Sequence, residues 1–236
     1  MKIIFNADDF GLSKGVNLGI MESFNNGVVR STTILPNSMQ FDDALKLAKN
    51  TELKIGVHLV LTSGKSFAKH NNITDSEGKF LGLLDFEKRA NLGQLDLDEV
   101  YREWDLQAKK VLDTGTKVTH FDSHHHVHML PGVNQVFDKL VSKYGVKARA
   151  KSTQVFSSDF YASGATLSNL KEVLLKNSTA HSIELMCHPA FVDTMLMEST
   201  RYSLPRLKEL NVLTDPDLKS FVAGQGWKLC SYEDVA

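Results

Sequence analysis

The chain has few cysteines, few prolines and almost no net charge. Its two cysteines, Cys187 and Cys230, stand far apart within apolar runs, which excludes a disulfide framework and a four-cysteine zinc site. They read as buried free thiols, and a reducing cytoplasm suits them. Lys and Arg total 27 against 28 Asp and Glu, so no basic field is available to neutralise a phosphate backbone, and nucleic acid is not the expected partner. No stretch approaches the ~20 apolar residues of a membrane span. The apolar run in MKIIFNADDFG is too short for a signal-peptide core. A soluble, non-exported protein is expected. No Gly-x-Gly-x-x-Gly follows the first strand, where the chain reads ADDFGLSKG, and this argues against a dinucleotide fold of the usual kind. There is no internal repeat, low-complexity tract or linker, so residues 1–236 read as a single domain.

What the chain does have is regular alternation of apolar strands with helical patterns. Strands are predicted at 2–6, 28–37, 54–61, 117–124, 146–151, 182–191 and 227–232. Helices are predicted at 13–26, 41–49, 97–112, 132–144, 167–176 and 199–210, with another starting at Asp215–Pro216. The first helix has Ser13 as a cap, Val16, Ile20 and Phe24 on one stripe, and Gly27 just past its end. Residues 62–95 show weak periodicity and read as a long functional loop or lid. About seven strand–helix alternations predict an α/β fold with mainly parallel strands. A (β/α) barrel, short of eight complete units, is preferred over a doubly wound sheet. Barrels of this kind carry their reactive groups at the C-terminal ends of the strands.

Several strand ends carry such groups. The first ends in Asp8 and Asp9, the third carries His58, the fourth carries Asp122 and a histidine cluster, and a later one reaches His188. The segment THFDSHHHVHM (119–129) holds five of the nine histidines. Side chains two apart share a strand face, so His120, Asp122 and His124 point the same way. Burying them together is costly unless something satisfies them, and a divalent cation would do so. Five rings cannot all bind one ion. His124 is the best ligand candidate, His126 is set aside as either supporting a ligand from behind or facing substrate, and the spacing assigns nothing to His120, His125 and His128. Blander readings exist: a solvated histidine loop, an Asp8–Asp9 turn cap, and hydrogen-bonded core histidines at 58 and 188. If the carboxylates are functional, one Asp would bind the metal and its neighbour would remove a proton.

The stretches NADDFGLSKGVNLGI, STTILPNS, IGVHLVLTSGK, THFDSHHHVHM and ELMCHPAF, with YSLPRLKELNVLTDPDLKS beyond them, resemble those of the YdjC-like carbohydrate deacetylases. Within that family the likeness is to the chito-oligosaccharide (diacetylchitobiose) deacetylases, and it spans nearly the whole chain. The resemblance implies a deformed (β/α) barrel related to polysaccharide deacetylases. It implies removal of acetyl groups from N-acetylglucosamine units of short chitin oligomers, a bound divalent metal given as Mg2+, and a homodimer. Carried over by position, His58, His124 and Asp9 would bind the metal, Asp8 would be the base and His188 the general acid. Asp122 would hold a ligand's second ring nitrogen. Imidazole ligands by themselves suit Zn2+ better, because magnesium prefers oxygen. The readings kept beside this one are a non-catalytic sugar or metal sensor on the same fold and a metal-dependent hydrolase of another bond, such as a phosphoester.

Overall fold

The computed structural model describes residues 1–235. Eight strands form one sheet: β1 (Lys2–Phe10), β2 (Ser31–Ile34), β3 (Lys54–Leu59), β4 (Val118–Ser123), β5 (Lys147–Ala148), β6 (Val155–Ser157), β7 (Ser182–Cys187) and β8 (Lys228–Leu229). The order is β5-β4-β3-β2-β1-β7-β6, and β8 also pairs with β1. Every ladder between these strands is parallel. Among the described residues no ladder joins β5 to β6, so the sheet curls but stays open there. This is the expected deformed barrel.

β1 is its axis. One edge pairs with β7 over residues 2–7. The other pairs first with β8, at Lys2 and Ile3, and then with β2 from Asn6 onward. A strand covered on both edges and both faces must be apolar, and Ile3, Ile4, Phe5 and Ala7 are all fully buried.

Nine helices surround the sheet among the described residues: α1 (Lys14–Asn25), α2 (Phe41–Ala48), α3 (Leu83–Asn91), α4 (Leu97–Leu112), α5 (Val133–Tyr144), α6 (Leu167–Lys176), α7 (Thr194–Ser199), α8 (Leu204–Leu213) and α9 (Pro216–Gly224). The predicted caps hold. The Ser13 side chain accepts from Val16 N, and Asp215 accepts from Asp217 N.

Three expectations need correction. The 62–95 stretch is not a bare loop, because it contains α3. It is also tied down. On α4, the buried Glu103 accepts from Phe67 N at 3.0 Å, and Glu99 accepts from Asn71 N and Asn72 N, both at 2.9 Å. The helix predicted at 199–210 starts late, at Leu204 as α8, and a separate short helix, α7, ends at Ser199 before it. Strands five and seven are shorter than predicted, and the three-residue β6 is too short to show a period.

α1 lies unusually close to the chain that leaves β7. A Cβ on Gly19 would sit 2.4 Å from Ala190 Cα, and one on Gly15 would sit 2.1 Å from Phe191 O. Both obstacles are backbone and cannot rotate away. Gly19→Ala is therefore expected to cost about 1–3 kcal/mol, read as a lower thermal midpoint. An unchanged midpoint would show that this contact can relax.

Candidate active site

In a regular strand, Asp8 and Asp9 would point to opposite faces. Asp9 instead has a left-handed backbone, with φ 70°, and the β1–β2 register shifts between Ala7 and Phe10. The bulge turns both carboxylates into the mouth of the barrel. Left-handed geometry at a non-glycine residue costs on the order of 1–3 kcal/mol and is characteristic of functional positions.

Around Asp9 the structure gathers the two histidines expected from sequence. Asp9 Oδ1 lies 3.4 Å from His58 Nε2 and 3.0 Å from His124 Nδ1. The three donor atoms lie within 4.8 Å of one another. Ligand atoms each ~2.1 Å from a shared ion, at tetrahedral to octahedral angles, are separated by roughly 3.0–3.4 Å. Both histidines keep that spacing from Asp9, and the donor set suits a divalent cation. The far side of the His58 ring is fixed as well, since Nδ1 lies 2.7 Å from Asp122 Oδ1. Asp122 in turn accepts from Thr33 Oγ1 at 3.0 Å. The ring-orienting role expected of Asp122 matches this geometry, and the ring it orients is His58.

The rest of the cluster divides by burial. His124 opens a 3-10 segment (His124–Met129) directly after β4, and His125 and His126 kink it with left-handed φ of 56° and 55°. His126 lines the cavity, its ring 5.5 Å from Phe156. His125 also lines the cavity, with Nδ1 2.8 Å from Thr62 Oγ1. The other two are structural. His128 Nδ1 lies 2.6 Å from Ser123 Oγ, and its ring packs on Phe137. His120 is buried and stacks on Tyr232 near the barrel floor, with centroids 3.7 Å apart. These two rings, which the spacing left unassigned, are buried in the core and not in a solvated loop.

Two arginines that the sequence reading missed organise the charge. Arg149, directly after β5, is fully buried. It grips both oxygens of Asp8 at 2.7 Å, reaches Asp122 Oδ2 at 3.0 Å and donates to Glu184 Oε1 at 2.7 Å. Arg206 on α8 donates to Asp9 Oδ2 at 2.7 Å. Burial alone would raise the pKa values of Asp8 and Asp9. The charge of Arg149 overrides it at Asp8, and those of Arg206 and His124 override it at Asp9, so both carboxyls end below their usual range. Burial lowers His58, but Asp122 outweighs it and raises the ring to about 10.

His188 lies just beyond β7, with Nε2 3.9 Å from Asp8 Oδ2. Its backbone N donates to Glu209 Oε2 at 2.5 Å, and the rings of Tyr161 and Tyr202 wall it in. Burial, then the Arg206 charge, holds the ring down to about 3, so it is neutral near pH 7. Burial raises Glu209 to about 7. All five predicted groups, Asp8, Asp9, His58, His124 and His188, line one cavity of about 420 Å³.

Arg206 and Glu209 were legible in principle. They stand three apart in LPRLKEL, on one face of a helix whose Pro205 marks its start. Arg149 lies between two alanines at a strand's end, where the strand-end rule already placed every other group.

Fold and cavity together define a (β/α)-barrel protein with a candidate cation site at the C-terminal mouth of its sheet. The chain belongs to the YdjC-like protein family, whose description matches residues 2–224. A protein named carbohydrate deacetylase from Listeria monocytogenes is 40% identical over 249 residues, covering 100% of both chains. One named chitooligosaccharide deacetylase from Yersinia enterocolitica is 38% identical, covering 98% of each. The crystal structure of EF3048 from Enterococcus faecalis, proposed there as a cellobiose-phosphate cleavage protein, superposes with a TM-score of 0.92 at 32% identity, covering 98% of this chain and 97% of that one. The Bacillus cereus polysaccharide deacetylase Bc1974 gives 0.55 at 13% identity, covering 98% and 92%. The likeness to Bc1974 is one of fold, and it bears out the expected polysaccharide-deacetylase-like barrel. No helix among the described residues is long and apolar enough to cross a membrane.

Proposed function

We propose that the protein is a metal-dependent carbohydrate N-deacetylase that hydrolyses the acetamide of N-acetylglucosamine units in short chitin oligosaccharides and releases acetate. The names of the full-length relatives support the reaction class. The observation that carries the chemistry is the meeting of Asp9, His58 and His124 beside the Asp8–His188 pair.

Asp9, His58 and His124 would hold the cation. When bound, it would polarise the acetamide carbonyl and lower the pKa of a water. Two imidazoles and one carboxylate suit Zn2+, while the family resemblance points to Mg2+. Metal analysis of the purified protein decides between them.

Asp8 acts as the base. Both of its oxygens already accept from Arg149, so it is ionised but only weakly basic. It takes a water's proton as the oxygen attacks the carbonyl carbon. The neutral His188 has no proton to spare at the outset. It takes the proton from Asp8 across the 3.9 Å gap and delivers it to the departing amine. The C–N bond breaks with the proton on nitrogen, and Asp8 returns to its anionic form. His126, at the wall of the cavity, faces substrate. The expected homodimer and cytoplasmic setting belong to the same proposal, and light scattering and cell fractionation check them.

The test is incubation with diacetylchitobiose and, separately, with a phosphate monoester, each with and without chelator, followed by mass spectrometry. Chelator-sensitive acetate release is expected from the sugar alone. Binding without acetate would favour a sensor, and phosphate release would favour the other hydrolase. Asp8→Asn is expected to keep its metal while turnover falls about 10²–10⁴-fold. A near-normal rate would remove Asp8 as the base.

A further inference from the structure

Tyr161 combines exposure with rigidity. It is 41% exposed at the rim of the cavity. One face of its ring lies flat on Tyr202, with centroids 4.1 Å apart and planes 11° from parallel. Its edge meets the His188 ring at a centroid distance of 5.5 Å. The Tyr202 hydroxyl accepts from Ala162 N at 2.8 Å and donates to Glu209 Oε1 at 2.5 Å. Ala162 has a left-handed backbone, with φ 53°, and Gly164 N donates to Tyr161 O at 2.8 Å. The ring is thus held from beneath and along its backbone before any ligand arrives.

We infer that the free face of Tyr161 is the platform on which the pyranose ring of the reacting sugar stacks. The inference rests on the deacetylase reading and extends it to a residue that orients the substrate. A pyranose has a face of C–H groups and a rim of hydroxyls. The rest of the lining is mainly carboxylates, imidazoles and hydroxyls, which suit the rim; Leu12, Leu83 and Met186 add apolar contact but no flat face. A flat, immobile aromatic surface suits the C–H face, and little ordering cost remains to be met on binding. A ring stacked there at ~3.5–4.0 Å lies beside His188. Its acetamido arm is then directed toward His188 and Asp8, while its hydroxyls stay at the polar walls. The hydrogen bond from Tyr202 to Glu209 braces the platform from beneath.

The test compares wild type, Tyr161→Ala and Tyr161→Phe on diacetylchitobiose. Tyr161→Ala is expected to raise KM about tenfold, the change that goes with loss of one stacking contact of ~1.4 kcal/mol. Its kcat should stay within about threefold, which a general loss of site structure would not allow. Tyr161→Phe keeps the ring and should match wild type within about twofold. The platform is overturned if Tyr161→Ala leaves KM unchanged, if only kcat falls, or if Phe behaves like Ala and the hydroxyl is what matters. If wild type releases no acetate, the deacetylase reading fails by itself. The platform is then judged by calorimetric titration with the same disaccharide, where Tyr161→Ala must bind about tenfold more weakly than wild type. Absence of sugar binding by wild type overturns it as well.

Discussion

Arg149→Met is expected to lower stability by about 3–5 kcal/mol. For a chain of this size that is a fall in thermal midpoint of roughly 6–20 °C. The reason is arithmetic of charge. Asp8, Asp122 and Glu184 are all buried, and all three contact this one guanidinium. Methionine matches the volume but supplies no charge. Three carboxylates are then left in low dielectric, with His58 and the neutral donors Asn6 and Thr33 as the nearest compensation for Asp8 and Asp122. Without Arg149 the buried carboxyls hold protons more tightly in the folded than in the unfolded chain, so unfolding releases protons; the loss should be greatest at neutral pH and shrink in acid, where the carboxyls are protonated. Arg149→Lys keeps the charge but loses the two-pronged grip on Asp8, and should fall between wild type and Met. Thermal melts of the three proteins at pH 5 and pH 7 measure this. A Met variant as stable as wild type at neutral pH would mean that these carboxylates are compensated by other groups.

His58→Ala is expected to have the largest effect on activity. Its Nε2 faces Asp9 and its Nδ1 faces Asp122, so removing the ring deletes one of three donors to the proposed cation and the partner that Asp122 orients. Metal content should fall from about one ion per chain toward zero. Acetate release should fall at least ~10³-fold, corresponding to several kcal/mol of lost carbonyl and water activation. The thermal midpoint of the metal-free protein should change far less than in Arg149→Met. Metal analysis and acetate assays on one preparation decide the matter. Full occupancy with normal turnover would remove His58 from the cation site.

Much of this site was readable before any coordinates, because parallel barrels concentrate polar side chains at strand ends. Asp8, Asp9, His58, Asp122 and His124 all follow that rule, and the two-residue period correctly set His120 and Asp122 on one face. The rule reached its limit where the backbone departs from regular geometry. Nothing in NADDFG announces that Asp9 is left-handed, yet that bend is what lets adjacent carboxylates share a cavity. The partners of these groups were harder to find. Arg149, Glu184, Arg206 and Glu209 are charged residues that, read singly, belong on a surface. Their burial is set by contacts 21 to 197 residues distant in sequence, from Glu209 with His188 N to Arg206 with Asp9. The histidine run shows the converse: composition made all five rings look alike, and only tertiary packing separates the two that brace the core from the three that face the cavity.

The placement of β1 between early and late partners has a consequence for biosynthesis. Lys2 pairs with Ser182 and with Lys228. At ~5–20 residues per second of translation, this strand waits on the order of ten seconds or more with one edge bare after it has left the ribosome. The nascent protein must keep the bare edge of this strand from pairing with neighbouring chains throughout that interval. The cavity mouth, which needs Arg206 from α8 to balance Asp9, becomes complete only after α8 has emerged.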